Sequence, residues 1–91
     1  MIPPPHILRA KFTVSLHRRV SELQEMLDQN DLVAAERAFH SLAGIGGTYG
    51  FPEVTTLARM AEHLCTAGGR DQIDEIFANL WDMAASLREA A

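Results

Sequence analysis

His40 is the residue of this chain whose type and surroundings best suit chemistry. It is followed by Gly44 and Gly47 and preceded by Arg37. On a helical wheel at about 100° per residue, these three residues fall on the same side as His40, whereas the apolar residues of the segment fall opposite. We therefore expect the imidazole of His40 to project into solvent.

The glycines are the unusual feature of this segment. Gly44, Gly46 and Gly47 lie close together, and each costs about 1 kcal/mol relative to alanine inside a helix. We expect Gly46 to face the core and permit close helix packing, and Gly44 and Gly47 to leave the ring of His40 sterically open. An open imidazole suits phosphoryl transfer, because a ring nitrogen must approach phosphorus in line while another protein reaches over it. Near neutral pH a large fraction of imidazole is also unprotonated and nucleophilic.

The segment from His40 to Gly50, HSLAGIGGTYG, resembles the signature of histidine phosphotransfer domains. The similarity includes Leu42, Gly44 and Gly47 at their places after the histidine. The wider layout is similar too: a long helix, an acidic turn, the histidine helix, a glycine-rich break and two further helices. The resemblance covers nearly the whole chain after the N-terminal prolines.

This resemblance implies a histidine-containing phosphotransfer protein of a two-component phosphorelay. His40 would be the phosphoacceptor and would exchange its phosphoryl group with the aspartate of a response-regulator receiver domain. A hybrid sensor histidine kinase is the other implied partner. The chain would be a phosphoryl carrier without ATP-dependent kinase activity of its own and without a cofactor, since the receiver domain would hold the magnesium.

One position departs from the family pattern. Relatives usually carry lysine three residues after the histidine, where it is thought to steady the phosphoryl group, whereas this chain has Ala43. We expect Ala43 and Arg37 to join Gly44 and Gly47 in a surface for partner docking and phosphoryl access, with Arg37 supplying a positive charge near His40. The missing lysine leaves an alternative open: a non-transferring module that keeps the fold and docks receiver domains or kinases.

A metal site is a weaker interpretation of the same helix. Glu36 and His40 stand one turn apart, and carboxylates with histidines build di-iron sites in four-helix bundles. Their spacing differs from the usual Glu-x-x-His pair, however, and the wheel places both outside the core. We predict no metal site, and no chemistry for His6, His17 or His63, which lack a glycine-flanked setting.

Composition limits the classes of function. A chain of 91 residues that is 47% hydrophobic suits one compact domain without a separate nucleotide-binding lobe. The net charge of −4 argues against a nucleic-acid binder. Cys65, the only cysteine, cannot form an internal disulfide, and we find neither a membrane-spanning apolar run nor a signal peptide. We therefore expect a cytoplasmic protein without a membrane partner.

Apolar residues at helical spacing predict the elements that position His40. The first helix runs from His6 to about Asp28, and the second, capped by Asp31, from Leu32 to about Thr48. Their expected core residues are Leu8, Phe12, Leu16, Val20, Leu23 and Leu27, then Leu32, Ala35, Ala38, Phe39, Leu42 and Ile45.

Two further helices follow the break around Gly50. Pro52 and Glu53 suit the first turn of the third helix, Gly68 and Gly69 end it, and Asp71 can cap the fourth. Their expected core residues are Val54, Leu57, Ala58, Ala61, Leu64 and Cys65, then Ile73, Ile76, Phe77, Leu80, Ala84 and Leu87. Tyr49 and Phe51 should close the bundle near the site, and further core or partly buried packing is expected of Met26, Met60, Trp81 and Met83.

These patterns together predict an all-α fold. Short loops and four apolar stripes favour an antiparallel, up-and-down four-helix bundle. Pro3, Pro4 and Pro5 favour extended geometry, so we expect residues 1–5 to be a proline-rich tail or linker and residues 6–91 to be the folded domain.

Overall fold

The structure, a computed structural model, describes the backbone of residues 5–90 and the side chains of residues 10–87. Within that part of the chain there are helices and no strands, which confirms the predicted all-α class. The helices are α1 (Pro5–Asp28), α2 (Leu32–Thr48), α3 (Pro52–Ala67) and α4 (Arg70–Ala90).

The first helix begins at Pro5, one residue before the predicted start. Proline is well tolerated at the first position of a helix, where its missing N–H has no helical partner to lose. The rest of the predicted tail, residues 1–4, lies outside the described residues, as do the side chains of His6 and Leu8.

The helix caps follow the predicted pattern at α2 but not at α4. The carboxylate of Asp31 accepts a hydrogen bond from the backbone N–H of Ala34 at 3.1 Å, which confirms it as the N-cap of α2. The prediction of Asp71 as the N-cap of α4 is wrong, because that residue lies inside the first helical turn. The carbonyl of Gly69 already accepts from the N–H of Ile73 at 2.9 Å, so the helix starts at Arg70, two residues earlier than a cap at Asp71 would give.

The helices form a closed four-membered bundle. Each helix packs against its neighbours in the chain, and α4 packs back against α1. Within the described residues the backbones of the diagonal pairs, α1 with α3 and α2 with α4, do not approach each other closely. The α2–α3 seam and the α1–α4 seam therefore lie on opposite sides of the bundle.

The core is built from the predicted stripes. Among residues 10–87, seventeen hydrophobic residues are buried: Phe12, Leu16, Val20, Leu23, Leu27, Ala35, Phe39, Leu42, Ala43, Val54, Ala58, Ala61, Ile73, Ile76, Phe77, Leu80 and Ala84. The ring of Phe12 stacks on Phe51 at a centroid distance of 4.3 Å and contacts Tyr49 at 5.5 Å, which closes the bundle beyond the end of α2.

Two of the expected packing residues differ from the prediction. Met26 and Met83 are partly buried against the core, but Met60 and Trp81 are exposed. Both line open grooves between helices instead of the core, Met60 between α3 and α4 and Trp81 between α1 and α4. No helix in the described part of the chain is long and apolar enough to span a membrane.

Candidate functional site

The candidate site is centred on His40, on the outer face of α2. Its neighbours toward the core, Phe39 and Leu42, are fully buried, so the helix is held with the opposite face outward. The side chain of His40 is 76% exposed. The imidazole is thus fixed to a rigid element yet open to a partner, as the helical wheel predicts.

Glu62 of α3 is the contact that organises the ring. Its Oε2 lies 2.8 Å from Nδ1 of His40, although the two residues are 22 positions apart in the chain. An ionised carboxylate can only accept a hydrogen bond, so in the neutral imidazole the proton is on Nδ1 and the lone pair is on Nε2. The pair therefore orients the ring and leaves the lone pair of Nε2 free of this contact.

The α2–α3 seam explains how Glu62 reaches His40. A Cβ added at Gly46 would lie 2.8 Å from Oγ1 and 3.0 Å from the backbone nitrogen of Thr55. The Thr55 hydroxyl also donates a hydrogen bond to the carbonyl of Ala43 at 2.7 Å. Because Thr55 and Glu62 are two turns apart on one face of α3, this close contact directs Glu62 toward α2 as well.

The three helical glycines have different surroundings. A Cβ added at Gly44 would meet no atom within 4 Å, and one at Gly47 would meet only Oγ1 of Thr55, at 3.7 Å. Gly46 is buried in the seam and is the one that permits close packing. The space beside His40 is therefore open along the outer face of α2.

The helix that carries His40 lies within a match to a known protein family. Residues 7–90 match the Hpt domain family, which is most of the chain, including the whole of the His40 helix. The chain belongs to the Hpt domain family. No curated protein and no solved structure matches it.

Hpt domains have a histidine phosphotransfer role in phosphorelays, and they are phosphocarrier modules rather than kinases. Receiver domains and kinases are the partners that such a role implies. The sequence resemblance to histidine phosphotransfer domains is confirmed.

The Hpt domain places the residues predicted beside His40 in two different environments. Arg37 is exposed and, with Arg19 and Val33, lines a groove between α1 and α2. Ala43, in contrast, is only 5% exposed, so it does not lie on the open surface where we expected it. The reason is the close approach at Gly46, which brings α3 over the adjoining side of α2.

Glu36 faces α3 rather than forming a ligand pair with His40. Burial raises the pKa of the nearby Cys65 thiol, the carboxylates of Glu36 and Glu62 raise it further, and Arg70 opposes them. A thiol with a raised pKa is held in its protonated, poorly nucleophilic form. Among the described residues, no three His, Cys, Asp or Glu side chains form a cluster that could hold a metal ion.

Glu62 is the site residue that sequence reasoning missed. Nothing in its local spacing marks it, because its partner is on another helix. A usable signal did exist: His40 and Glu62 are equally far from Phe51, at the turn between two antiparallel helices. Residues placed in that way lie at the same level of a helical hairpin, so pairing the two wheels would have brought Glu62 beside the imidazole.

Proposed function

We propose that Nε2 of His40 accepts a phosphoryl group from the aspartyl phosphate of a response-regulator receiver domain, or passes one to that aspartate. The observation that carries this proposal is the hydrogen bond of Nδ1 to Glu62 on an imidazole that is 76% exposed. That arrangement supplies an oriented nucleophile to which a second active site has access.

Transfer to Nε2 gives the imidazole ring a positive charge. Nε2 attacks phosphorus, the bond from phosphorus to the aspartyl oxygen breaks, and the carboxylate of the receiver leaves with the electron pair. The proton on Nδ1 stays in place, so the phosphorylated ring carries a positive charge. The carboxylate of Glu62, 2.8 Å from Nδ1, stabilises that charge, and transfer in the opposite direction reverses the same steps.

Access to His40 comes from the outer face of α2. Gly44 and Gly47 leave room for the walls of the receiver site, and the exposed Val33 and Arg37 give that partner an apolar and a positive contact. In this proposal the receiver brings the aspartate and the magnesium ion, and a hybrid sensor histidine kinase is the upstream source of phosphate. The chain itself contributes no ATP chemistry.

Transfer from labelled receivers tests the proposal. Receiver domains encoded in the same genome are each phosphorylated with [³²P]acetyl phosphate and magnesium, then mixed with the wild-type protein or His40→Gln. We expect at least one receiver to label the wild-type protein and none to label His40→Gln, whose fold should persist because the change is at an exposed position. His63→Gln, at another exposed histidine, should be labelled like the wild type.

The same experiment separates transfer from docking alone. If receivers bind the wild-type protein but none labels it, the chain is the non-transferring interaction module. Label on His17 or His63 in the His40→Gln protein would refute the choice of His40. The intact His40–Glu62 pair favours transfer, because docking alone needs no oriented ring nitrogen.

A further inference from the structure

The α1–α4 seam carries a second surface that phosphoryl transfer at His40 does not use. A groove of about 440 Å³ lies between these helices, and Trp81 forms part of its wall together with Leu27. The indole of Trp81 is 41% exposed and rests on the buried Phe77 at a ring-centroid distance of 6.0 Å. A large aromatic side chain held this way has a fixed base and an open face, which is typical of anchors in protein interfaces.

Three carboxylates line the same groove as the exposed indole. Asp28, Asp74 and Asp82 line the groove, and Asp74 is paired with the guanidinium of Arg70 at 2.9 Å. Asp28 accepts a hydrogen bond from the neutral amide of Gln24, so its negative charge is not compensated by that contact. Asp82 has no hydrogen-bond or ion-pair partner in the part of the chain that the structure describes. Arg70 lines the same groove but is paired with Asp74, so Asp28 and Asp82 leave the rim negative.

We propose that this groove binds an amphipathic, basic helix of a partner protein. A large apolar side chain of that helix would lie against Trp81, and lysine or arginine residues flanking it would face Asp28 and Asp82. A groove between two packed helices has the shape that accepts a third helix. Because the rim is negative, it favours a partner that carries positive charge.

A second copy of this chain fits the groove poorly. A twofold interface would bring the same α1–α4 surface of each copy together, so Asp28 and Asp82 of one would approach the same carboxylates of the other. Like charges at such an interface oppose association. A basic partner does not meet this repulsion.

The groove is far from the candidate phosphorylation site. His40 and Glu62 lie at the α2–α3 seam, on the opposite side of the bundle from the α1–α4 seam. A helix bound beside Trp81 therefore leaves the imidazole accessible. The domain could be tethered by one partner while it exchanges phosphate with another.

A designed peptide tests the surface directly. The probe is a fluorescein-labelled, 18-residue amphipathic helix of leucine and lysine, and its counterpart has glutamate in place of lysine. Trp81 is the only tryptophan of the chain, so its emission reports on this site alone. We expect the leucine–lysine peptide to bind, to shift the Trp81 emission to shorter wavelength, and to bind more weakly as salt is added. The glutamate peptide should not bind.

Matched variants separate this groove from general attraction to an acidic protein. By fluorescence anisotropy, we expect Trp81→Ala to weaken binding about tenfold or more, as truncation of an interface anchor does. The double variant Asp28→Asn with Asp82→Asn, which removes both negative charges, should weaken peptide binding about tenfold as well. Glu75→Gln removes a charge from the other flank of α4, and His40→Gln changes the opposite seam, so both should keep the affinity within about twofold.

Three results would overturn the proposal. The first is no change in Trp81 emission with the leucine–lysine peptide. The second is an equal loss of affinity from Glu75→Gln and from the paired aspartate variants, which would mean unspecific charge attraction. The third is a Trp81-dependent dimer in sedimentation experiments, which would make a second copy the occupant. None of these results depends on whether His40 carries phosphate.

Discussion

At the scale of single residues, the sequence marks His40 and Asp31 because their signals are local. A cap needs only the next turn of its own helix, and the glycines that clear the space around the imidazole follow it directly in the chain. Glu62 carries no such local mark, because its role depends on how two helices pair. Ala43 shows the converse: the wheel of α2 alone does not indicate which side α3 will cover.

Substitution of Glu62 tests its role as the residue that positions and stabilises the ring. Glutamine can still accept the Nδ1 hydrogen bond but lacks the negative charge, whereas alanine removes both. We expect Glu62→Gln to slow phosphoryl transfer about tenfold and Glu62→Ala about a hundredfold, the range seen when a partner that orients a functional histidine is lost. Rates are measured in single-turnover transfer from a phosphorylated receiver.

The matched control is Glu75→Gln, which changes an exposed carboxylate of α4 and should transfer at the wild-type rate. Thermal melts should place both Glu62 variants within about 0.5 kcal/mol of the wild type, because Glu62 is not a core residue. A wild-type rate for Glu62→Ala would show that His40 needs no oriented tautomer.

At the scale of elements, the apolar stripes predict four helices and nearly all of their buried residues. The errors of the prediction concern the start of α4 and residues beside the seams between helices. Asp71 has the right chemistry for a cap, but Gly68 at φ +85° turns the chain so that Gly69 already provides the first helical carbonyl. Met60 and Trp81 fit the apolar pattern, but periodicity alone cannot show how far a neighbouring helix extends over them.

Gly44 and Gly46 provide a matched comparison within α2. Gly44→Leu adds a side chain where a Cβ meets no atom within 4 Å. In a thermal melt the variant should therefore be at least as stable as the wild type, with a free energy of unfolding that is higher by up to about 1 kcal/mol. Transfer should nevertheless fall, because the leucine obstructs the approach of the receiver to His40.

Gly46→Ala should behave in the opposite way. Its Cβ would lie 3.1 Å from the carbonyl oxygen of Phe51, against backbone that cannot move aside easily. We expect a loss of about 1–3 kcal/mol in the free energy of unfolding, measured by urea denaturation. Equal stability of the two variants would contradict the close α2–α3 approach on which the placement of Glu62 depends.

At the scale of the whole molecule, short connections and a closed ring of four seams determine where the surfaces lie. Arg70 is the long-range contact that the sequence did not reveal. Its guanidinium donates to Oδ1 of Asn30 and to the carbonyl of Leu27, both at 3.0 Å, and also pairs with Asp74. It thereby ties the start of α4 to the turn between α1 and α2.

Removal of the Arg70 contacts should destabilise the bundle without changing the surroundings of His40. We expect Arg70→Ala to lower the free energy of unfolding by about 1 kcal/mol, since the group is partly exposed and the Leu27 carbonyl keeps the N–H of Asn30 as a donor. Arg18→Ala breaks a more exposed pair with Glu22 at 4.0 Å and should change stability by less than about 0.5 kcal/mol. Urea denaturation compares the two variants. An equal loss of stability would show that Arg70 does not link α4 to the turn between α1 and α2.

The most direct test of the central claim is to find which nitrogen carries the phosphoryl group. Protein containing ¹⁵N-histidine is phosphorylated by a receiver domain and examined by ¹⁵N and ³¹P NMR. Because Glu62 holds the proton on Nδ1, we predict coupling of phosphorus to Nε2 of His40, with Nδ1 still protonated. Phosphorus on Nδ1 of His40, or on any other histidine, would contradict the mechanism derived from this site.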